Sequence, residues 1–277
     1  MKLLAVRVRP RSNHDGVVAA LFDAGSMGIH EDGDTLVTNL PHGGDVDLLR
    51  QRVAEADPGA EVNVTTVTPP DFSEWRGTVG GHTVGRITVA PPWVETGPAE
   101  IMIRIEPAMA FGTGEHATTR LCLSLLQRVV RPGDTVADLG SGSAVLSIAA
   151  AKLGASRVAA IEIDSDATAN AQQNVARNDA GDKVHLFEGD AGVLLPLIAP
   201  VRVVIANILS SVILEMLPLM RDALTPDGEA VLSGILLEER EMMLEKLAEA
   251  GWRVEHEESE GEWWSVLAVH QSLATSH

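Results

Sequence analysis

Val136-Ala137-Asp138-Leu139-Gly140-Ser141-Gly142-Ser143-Ala144-Val145-Leu146 reads as an apolar strand, a glycine turn and the opening of a helix. That is the first strand-turn-helix of a nucleotide-type α/β fold, with a ligand expected at the turn. Glycines let the backbone approach a ligand where a side chain would block it. The helix N-terminus adds N–H groups that have no partner within the helix. What this turn holds decides what the protein does.

Around the turn, strands and helices alternate. Strands are expected at Thr135–Asp138, Arg157–Ile163, Lys183–Phe187, Val201–Ala206, Glu229–Ser233, Arg253–Glu257 and Trp263–Val269. Helices are expected between the first six, at Ala144–Leu153, Asp166–Asn178, Ala191–Ile198, Ser210–Leu224 and Glu238–Ala250. The polar gap Glu258–Glu262 is too short for a crossover, so the last two strands form a hairpin and one runs antiparallel. A seven-stranded α/β sheet of Rossmann-like, methyltransferase type follows as the fold class.

Upstream, residues 3–9 alternate as a strand, and His14–Ala24 reads as a helix burying Val17, Val18, Leu21 and Phe22. Strands at Met27–Glu31 and Thr35–Leu40 flank Asp32-Gly33-Asp34, a hairpin signal. A helix over Asp45–Ala56, with Val46, Leu49 and Val53 inward, and a strand over Glu61–Val67 complete the order βαββαβ. This is the pattern of a small ferredoxin-like α+β domain. The expected division is a small domain at 1–68, a linker with lead-in strands at 69–98, the large domain at 99–270 and a tail at 271–277. Asp71–Gly81 reads as neither helix nor strand. Arg86–Ala90 and Glu100–Ile105 read as strands, followed by a glycine-bearing loop and a helix running to about Val130.

The 277 residues suffice for one large and one small domain. No apolar run approaches the ~20 residues of a membrane span. Met1–Pro10 is no signal peptide, since Arg7 and Arg9 interrupt a short apolar stretch. Cys122 is the sole cysteine, which excludes an internal disulfide and a cysteine zinc site. A cytoplasmic location is the expectation. The net charge of −18 argues against broad contact with nucleic-acid phosphates. It suits either a solubilising surface or the steering of a basic partner. No membrane and no direct nucleic-acid partner is expected, and a monomer is the default.

A dinucleotide needs a third glycine where Val145 stands, and the charge of Asp138 would oppose a pyrophosphate. A P-loop is excluded because no Gly-Lys-Ser/Thr follows. S-adenosylmethionine, with an ammonium, a sulfonium and no phosphate, suits the turn better. A plain tight turn without a ligand is the alternative. Glu162, at the end of the next strand, stands where an acid accepts ribose hydroxyls. Asp164 or Ser165 suits a helix N-cap instead. Asn207 ends the fourth strand, where its amide carbonyl can accept from an amine or cap the next helix. The histidines show no metal spacing, and no Ser/His/Asp arrangement is legible. Glu238-Glu239-Arg240-Glu241 reads as a solvated helix face.

Met109-Ala110-Phe111-Gly112-Thr113-Gly114-Glu115-His116-Ala117-Thr118-Thr119, followed by Leu121-Cys122-Leu123, resembles a signature of the ribosomal protein L11 methyltransferase family, PrmA type. Asp138–Ala155, Ala206-Asn207-Ile208-Leu209 and Ser233-Gly234-Ile235-Leu236 are similar to its further motifs. The resemblance is strong over about residues 100–270 and loose before that.

It implies that Thr119, Gly140, Glu162 and Asn207 contact S-adenosylmethionine. Asp138 and Gly142, read from the turn itself, join the expected cofactor set. The resemblance also implies that a small N-terminal domain grips a large-subunit ribosomal protein. The methyl acceptors would be amines, namely lysine side chains and an N-terminal α-amine. Asn207 would orient the acceptor, Phe111 would wall the methyl channel, and the Phe111–Gly114 loop would close over both ligands. The chain departs from the family at Glu162, usually Asp, and at Ala144 and Ala108, usually Gly. Its tryptophan-rich linker is reduced to Trp75. A methyltransferase for another protein lysine or a small amine, and a non-catalytic cofactor-binding module on the ribosome, are the alternatives.

Overall fold

A computed structural model describes residues 3–26, 29–40, 45–67, 80–106 and 115–271. The chain forms two compact units, Met1–Thr78 and Val79–His277.

The first unit runs β1 (Leu3–Arg9), α1 (His14–Asp23), β2 (Ile29–Asp32), β3 (Thr35–Leu40), α2 (Val46–Ala56), β4 (Glu61–Val67). Its sheet is antiparallel, in the order β2-β3-β1-β4. Alternation in β1 sends Val6 and Val8 inward and leaves Arg7 and Arg9 outside. These valines meet Val17 and Leu21 of α1 and Leu49 and Val53 of α2. Phe22, expected inward, is 52% exposed. The four-residue apolar stripe of α1 is wider than this small sheet can cover, so Val17 and Leu21 fill the core and Phe22 overhangs it. Asp57 ties the start of α1 to the end of α2: its carboxylate accepts from the backbone N–H of Arg11, Ser12 and Asn13. Those bonds hold its acidity far above that of an ordinary carboxylate.

The second unit opens with β5 (His82–Val84), β6 (Ile87–Ala90) and β7 (Ile101–Arg104). β5 pairs antiparallel with β6, and β6 pairs parallel with β7. Then come α3 (Ala117–Val129), β8 (Thr135–Leu139), α4 (Val145–Leu153), β9 (Arg157–Glu162), α5 (Ser165–Arg177) and β10 (Val184–Glu188). They are followed by α6 (Ala191–Ile198), β11 (Val201–Asn207), α7 (Ser210–Ala223), β12 (Leu224–Leu236), a 3-10 turn at Leu237–Glu239, α8 (Arg240–Glu249), β13 (Trp252–Glu260) and β14 (Trp263–His270).

The seven-stranded sheet has the order β10-β9-β8-β11-β12-β14-β13, with β14 antiparallel to both neighbours. Its central strands are buried on both faces, which is why they read as continuous apolar runs. Val136, Val158, Val203 and Ile205 face α3, α4 and α5. Ala137, Ile161, Val204 and Ala206 face α6, α7 and α8. The parallel register brings the carboxyl ends of β8, β9 and β11 to one edge, with Leu139 opposite both Ile161 and Ala206. No described helix is long and apolar enough to cross a membrane.

Candidate functional site

At that edge β8 ends in the glycine turn. Gly140 and Ser141 both donate their N–H to the Ile161 carbonyl of β9, at 2.9 and 3.0 Å. Gly140 has φ +73°, and a Cβ there would lie 2.6 Å from Ile208 Cγ2. A side chain is thus excluded by both backbone and space. Ala144 takes φ +64°, the left-handed region, with its methyl fully buried. It serves as N-cap of α4 without a side-chain bond.

Glu162 closes the turn from the β9 side. One carboxylate oxygen accepts from Gly142 N–H at 2.8 Å, and the other from Ile163 and Asp164 N–H at 2.9 and 3.0 Å. A carboxylate offers about four lone-pair sites, so acceptor capacity remains. Asp164 is the N-cap of α5, accepting from Asp166 N–H. Asp138 lies behind the turn, 1% exposed, and accepts from the Ser147 hydroxyl at 2.5 Å. Burial pushes its pKa up to about 6, against the Ser147 bonds that lower it.

Asn207 ends β11 opposite Ser233 of β12. It does not cap α7, whose N-cap is Leu209 with no side-chain bond. Its Oδ1 is buried and has no partner among the described residues. The same holds for Thr119 Oγ1 on α3 and Ser141 Oγ in the turn. Such atoms are costly unless something bonds to them. Ser233 links α3 to this edge: its hydroxyl donates to the Thr118 carbonyl at 3.4 Å and shares a 2.5 Å bond with Ser265. The Cys122 thiol is fully buried beside Ser233, and burial pushes its pKa up to about 12. His116 caps α3 and meets Trp263 edge-on at 4.9 Å. Burial first, then Arg120, holds its pKa below the usual value.

Thr119, Asp138, Gly140, Gly142, Glu162 and Asn207 therefore belong to elements that converge on one edge of the sheet. Phe111 and the Phe111–Gly114 loop lie outside the described residues. A cleft of about 440 Å³ opens over the turn, walled by Gly140, Glu162, Ile163, Asp190, Ile208 and Leu209. Its size is within the range of small-ligand sites. Ile163 and Leu209, both lining this cleft, are 72% and 71% exposed apolar side chains.

Sequence reasoning missed Ser141, Asp190 and the bridge from Glu239, which accepts from the Ser210 hydroxyl at 2.6 Å and from Leu236 N–H at 2.9 Å. The signal for Ser141 was a polar residue flanked by two glycines. For Asp190, the Gly-Asp step after a strand repeated the logic of a strand-end acid. Glu239 carried no such signal, since its charged neighbours read as a solvated face.

An open sheet of this order, its seventh strand antiparallel, with a glycine turn after the first strand and an acid after the second, defines the Rossmann-like methyltransferases. The comparisons with known proteins narrow the class. The family model described as ribosomal protein L11 methyltransferase (PrmA) matches residues 46–271. A ribosomal protein L11 methyltransferase from Thermus thermophilus is 38% identical over 250 residues, spanning 90% of this chain and 92% of the relative. One from Pelotomaculum thermopropionicum is 39% identical over 215 residues, 76% of this chain and 69% of the relative. The crystal structure of a ribosomal protein L11 methylase from Lactobacillus delbrueckii subsp. bulgaricus superposes with a TM-score of 0.63 at 29% identity, covering 69% of this chain and 98% of that one. The chain belongs to the ribosomal protein L11 methyltransferase family.

Proposed function

We propose that this protein transfers methyl groups from S-adenosylmethionine to amines of ribosomal protein L11, on lysine side chains and the N-terminal α-amine. The observation that carries the reading is Asn207: an amide oxygen at the carboxyl end of β11, buried, unbonded and released from capping duty.

The site's donor set fits the cofactor. Glu162 has acceptor capacity for ribose hydroxyls. Thr119 Oγ1 and Ser141 Oγ are buried polar atoms in want of a partner. Ile163, Ile208 and Leu209 offer apolar walls to an adenine, and Gly140 leaves room for close approach. Asp138 supports the turn from behind through Ser147. When bound, the cofactor supplies a methyl group on a sulfonium, already a good leaving group.

The protein's own task is alignment and exclusion of water. The acceptor must be a neutral amine, and a lysine near its ordinary pKa of ~10.4 is mostly charged. A desolvated site lowers that pKa. The Asn207 carbonyl oxygen accepts an N–H of the amine and aims its lone pair. A small domain at residues 1–68, within the first unit, recognises the protein substrate; its βαββαβ order and antiparallel sheet support a ferredoxin-like module. Residues 69–98 link and lead in, and 99–270 form the methyltransferase domain. A cytoplasmic monomer that binds no nucleic acid directly completes the reading.

The test is incubation with ribosomal protein L11 and S-adenosylmethionine, followed by mass spectrometry of the substrate. The wild-type protein adds methyl groups to amines. Asn207→Ala lowers the rate by about 10²-fold, the order of one lost positioning group. A full rate in the variant removes Asn207 from its role, and methylation of other proteins in place of L11 overturns the substrate.

A further inference from the structure

Helix α5 carries asparagine at Asn170 and Asn174, and Asn178 is its C-cap. Residues spaced by four share a helix face, and Asn174 and Asn178 are 0% and 6% exposed. Asparagine is a weak helix former, and a buried amide is costly unless bonded. Here the amides bond the chain that leaves β7. Arg104 N–H donates to Asn178 Oδ1 at 2.8 Å, and Asn178 Nδ2 donates to the Arg104 carbonyl at 2.7 Å. Glu106 N–H donates to Asn174 Oδ1 at 2.9 Å, and Asn170 Nδ2 to the Glu106 carbonyl at 3.4 Å. The helix face acts as a partner strand for this segment.

Asn174 also reaches the turn. Its Nδ2 donates to Asn170 Oδ1 at 3.2 Å and to the Ser143 carbonyl, inside the glycine turn, at 3.1 Å. The peptide joining Ser143 to Ala144 is therefore gripped at both sides, because Ala144 N–H donates to the Ser141 carbonyl at 2.8 Å. The orientation of that peptide plane sets the φ of Ala144, which is +64°. An L side chain does not hold this value unaided.

We propose that Asn174 is a positioning residue of the cofactor turn. It keeps the Ser143–Ala144 peptide in the left-handed geometry that presents Gly140–Gly142 and the start of α4. It also couples the turn to the segment entering from β7. The inference rests on the reading that this turn holds S-adenosylmethionine.

Asn174→Asp separates the two duties. The new carboxylate still accepts from Glu106 N–H and from Arg177, whose Nη1 donates to Asn174 Oδ1 at 2.9 Å. It has no donor for the Ser143 carbonyl. Asn178→Asp makes the same change on the same stripe, away from the turn. The experiment is calorimetric binding of S-adenosylmethionine to the full chain, with thermal unfolding of each variant.

Asn174→Asp is expected to weaken binding about tenfold or more, while Asn178→Asp, with a similar loss of thermal stability, stays within about twofold. Adding Ala144→Gly to Asn174→Asp restores affinity, since glycine adopts positive φ freely. Equal losses in the two asparagine variants, or no restoration, overturn the proposal. Should Asn174→Asp fail to fold, hydrogen exchange on the wild-type protein decides. Slower exchange at the Glu106 amide on adding cofactor supports the coupling, and unchanged exchange overturns it. No binding to the wild type is a different failure, that of the cofactor reading itself.

Discussion

Ala144 has its methyl fully buried at φ +64°. Left-handed backbone costs an L residue about 1–2 kcal/mol. A glycine there recovers that strain but loses a buried methyl worth ~0.8 kcal/mol and gains unfolded-state freedom worth ~0.4–1 kcal/mol. The terms nearly cancel, so Ala144→Gly is expected to leave unfolding free energy within about 1 kcal/mol of wild type. Ala150, equally buried inside α4, has no strain to release. Ala150→Gly is expected to cost about 2 kcal/mol, the sum of helix propensity and lost burial. Urea denaturation of the pair reads the contrast.

Asp138 permits a pH test. Its pKa is raised to about 6, chiefly by burial, against an unfolded value of ~3.9. Between those values the folded chain holds the proton and the unfolded chain does not. This group's contribution is therefore fully present below pH ~4 and lost as pH rises through about 6. Asn at this position still accepts from Ser147 and never ionises. Asp138→Asn is expected to match wild type near pH 4 and to exceed its stability at pH 7 by about 1–3 kcal/mol. An equal difference at both pH values would remove the buried charge as the cause.

At the scale of elements, the segment after β11 is held against the end of β12. Ile208 N–H donates to the Ser233 carbonyl at 3.2 Å. Gly234, at φ +82°, lies so near Ile208 that a Cβ would overlap its carbonyl oxygen and come 3.0 Å from its nitrogen. Glu239 joins Ser210 to Leu236 across the same gap. Gly234→Ala must displace Ile208 and with it Asn207. The expected outcome is a loss of about 2 kcal/mol or more of stability and a drop in kcat larger than the rise in KM, read by steady-state kinetics.

The alternation of strands and helices, the hairpin at the end of the sheet and the place of Asn207 were legible because each rests on local sequence pattern. The two duties open to Asn207 were not separable, since capping depends on where Leu209 turns into the helix. Asn170, Asn174 and Asn178 drew no expectation, because their partners lie 64 to 74 residues away in the chain. Local pattern carries no trace of such contacts. Phe22 misled for a related reason: a helical stripe shows which residues face inward, and the width of the sheet beneath decides how many are covered.

Across the whole molecule, 39 acidic residues against 21 basic ones leave a net charge of −18. A basic protein substrate is then drawn in by long-range attraction that salt screens. The kcat/KM for such a substrate is expected to fall about tenfold between low and high ionic strength, while kcat at saturation changes little. A flat salt profile would assign the acidic surface to solubility alone.

Cys122 has a consequence for how the protein can be watched. It is the sole cysteine, has no exposed surface and has its thiol pushed up to about 12. Maleimide and iodoacetamide probes need an accessible thiolate. The native chain is therefore close to a cysteine-free background. One cysteine introduced on an exposed position of either unit would take a fluorophore or spin label alone, and a second would give a distance, with the wild-type residue left in place.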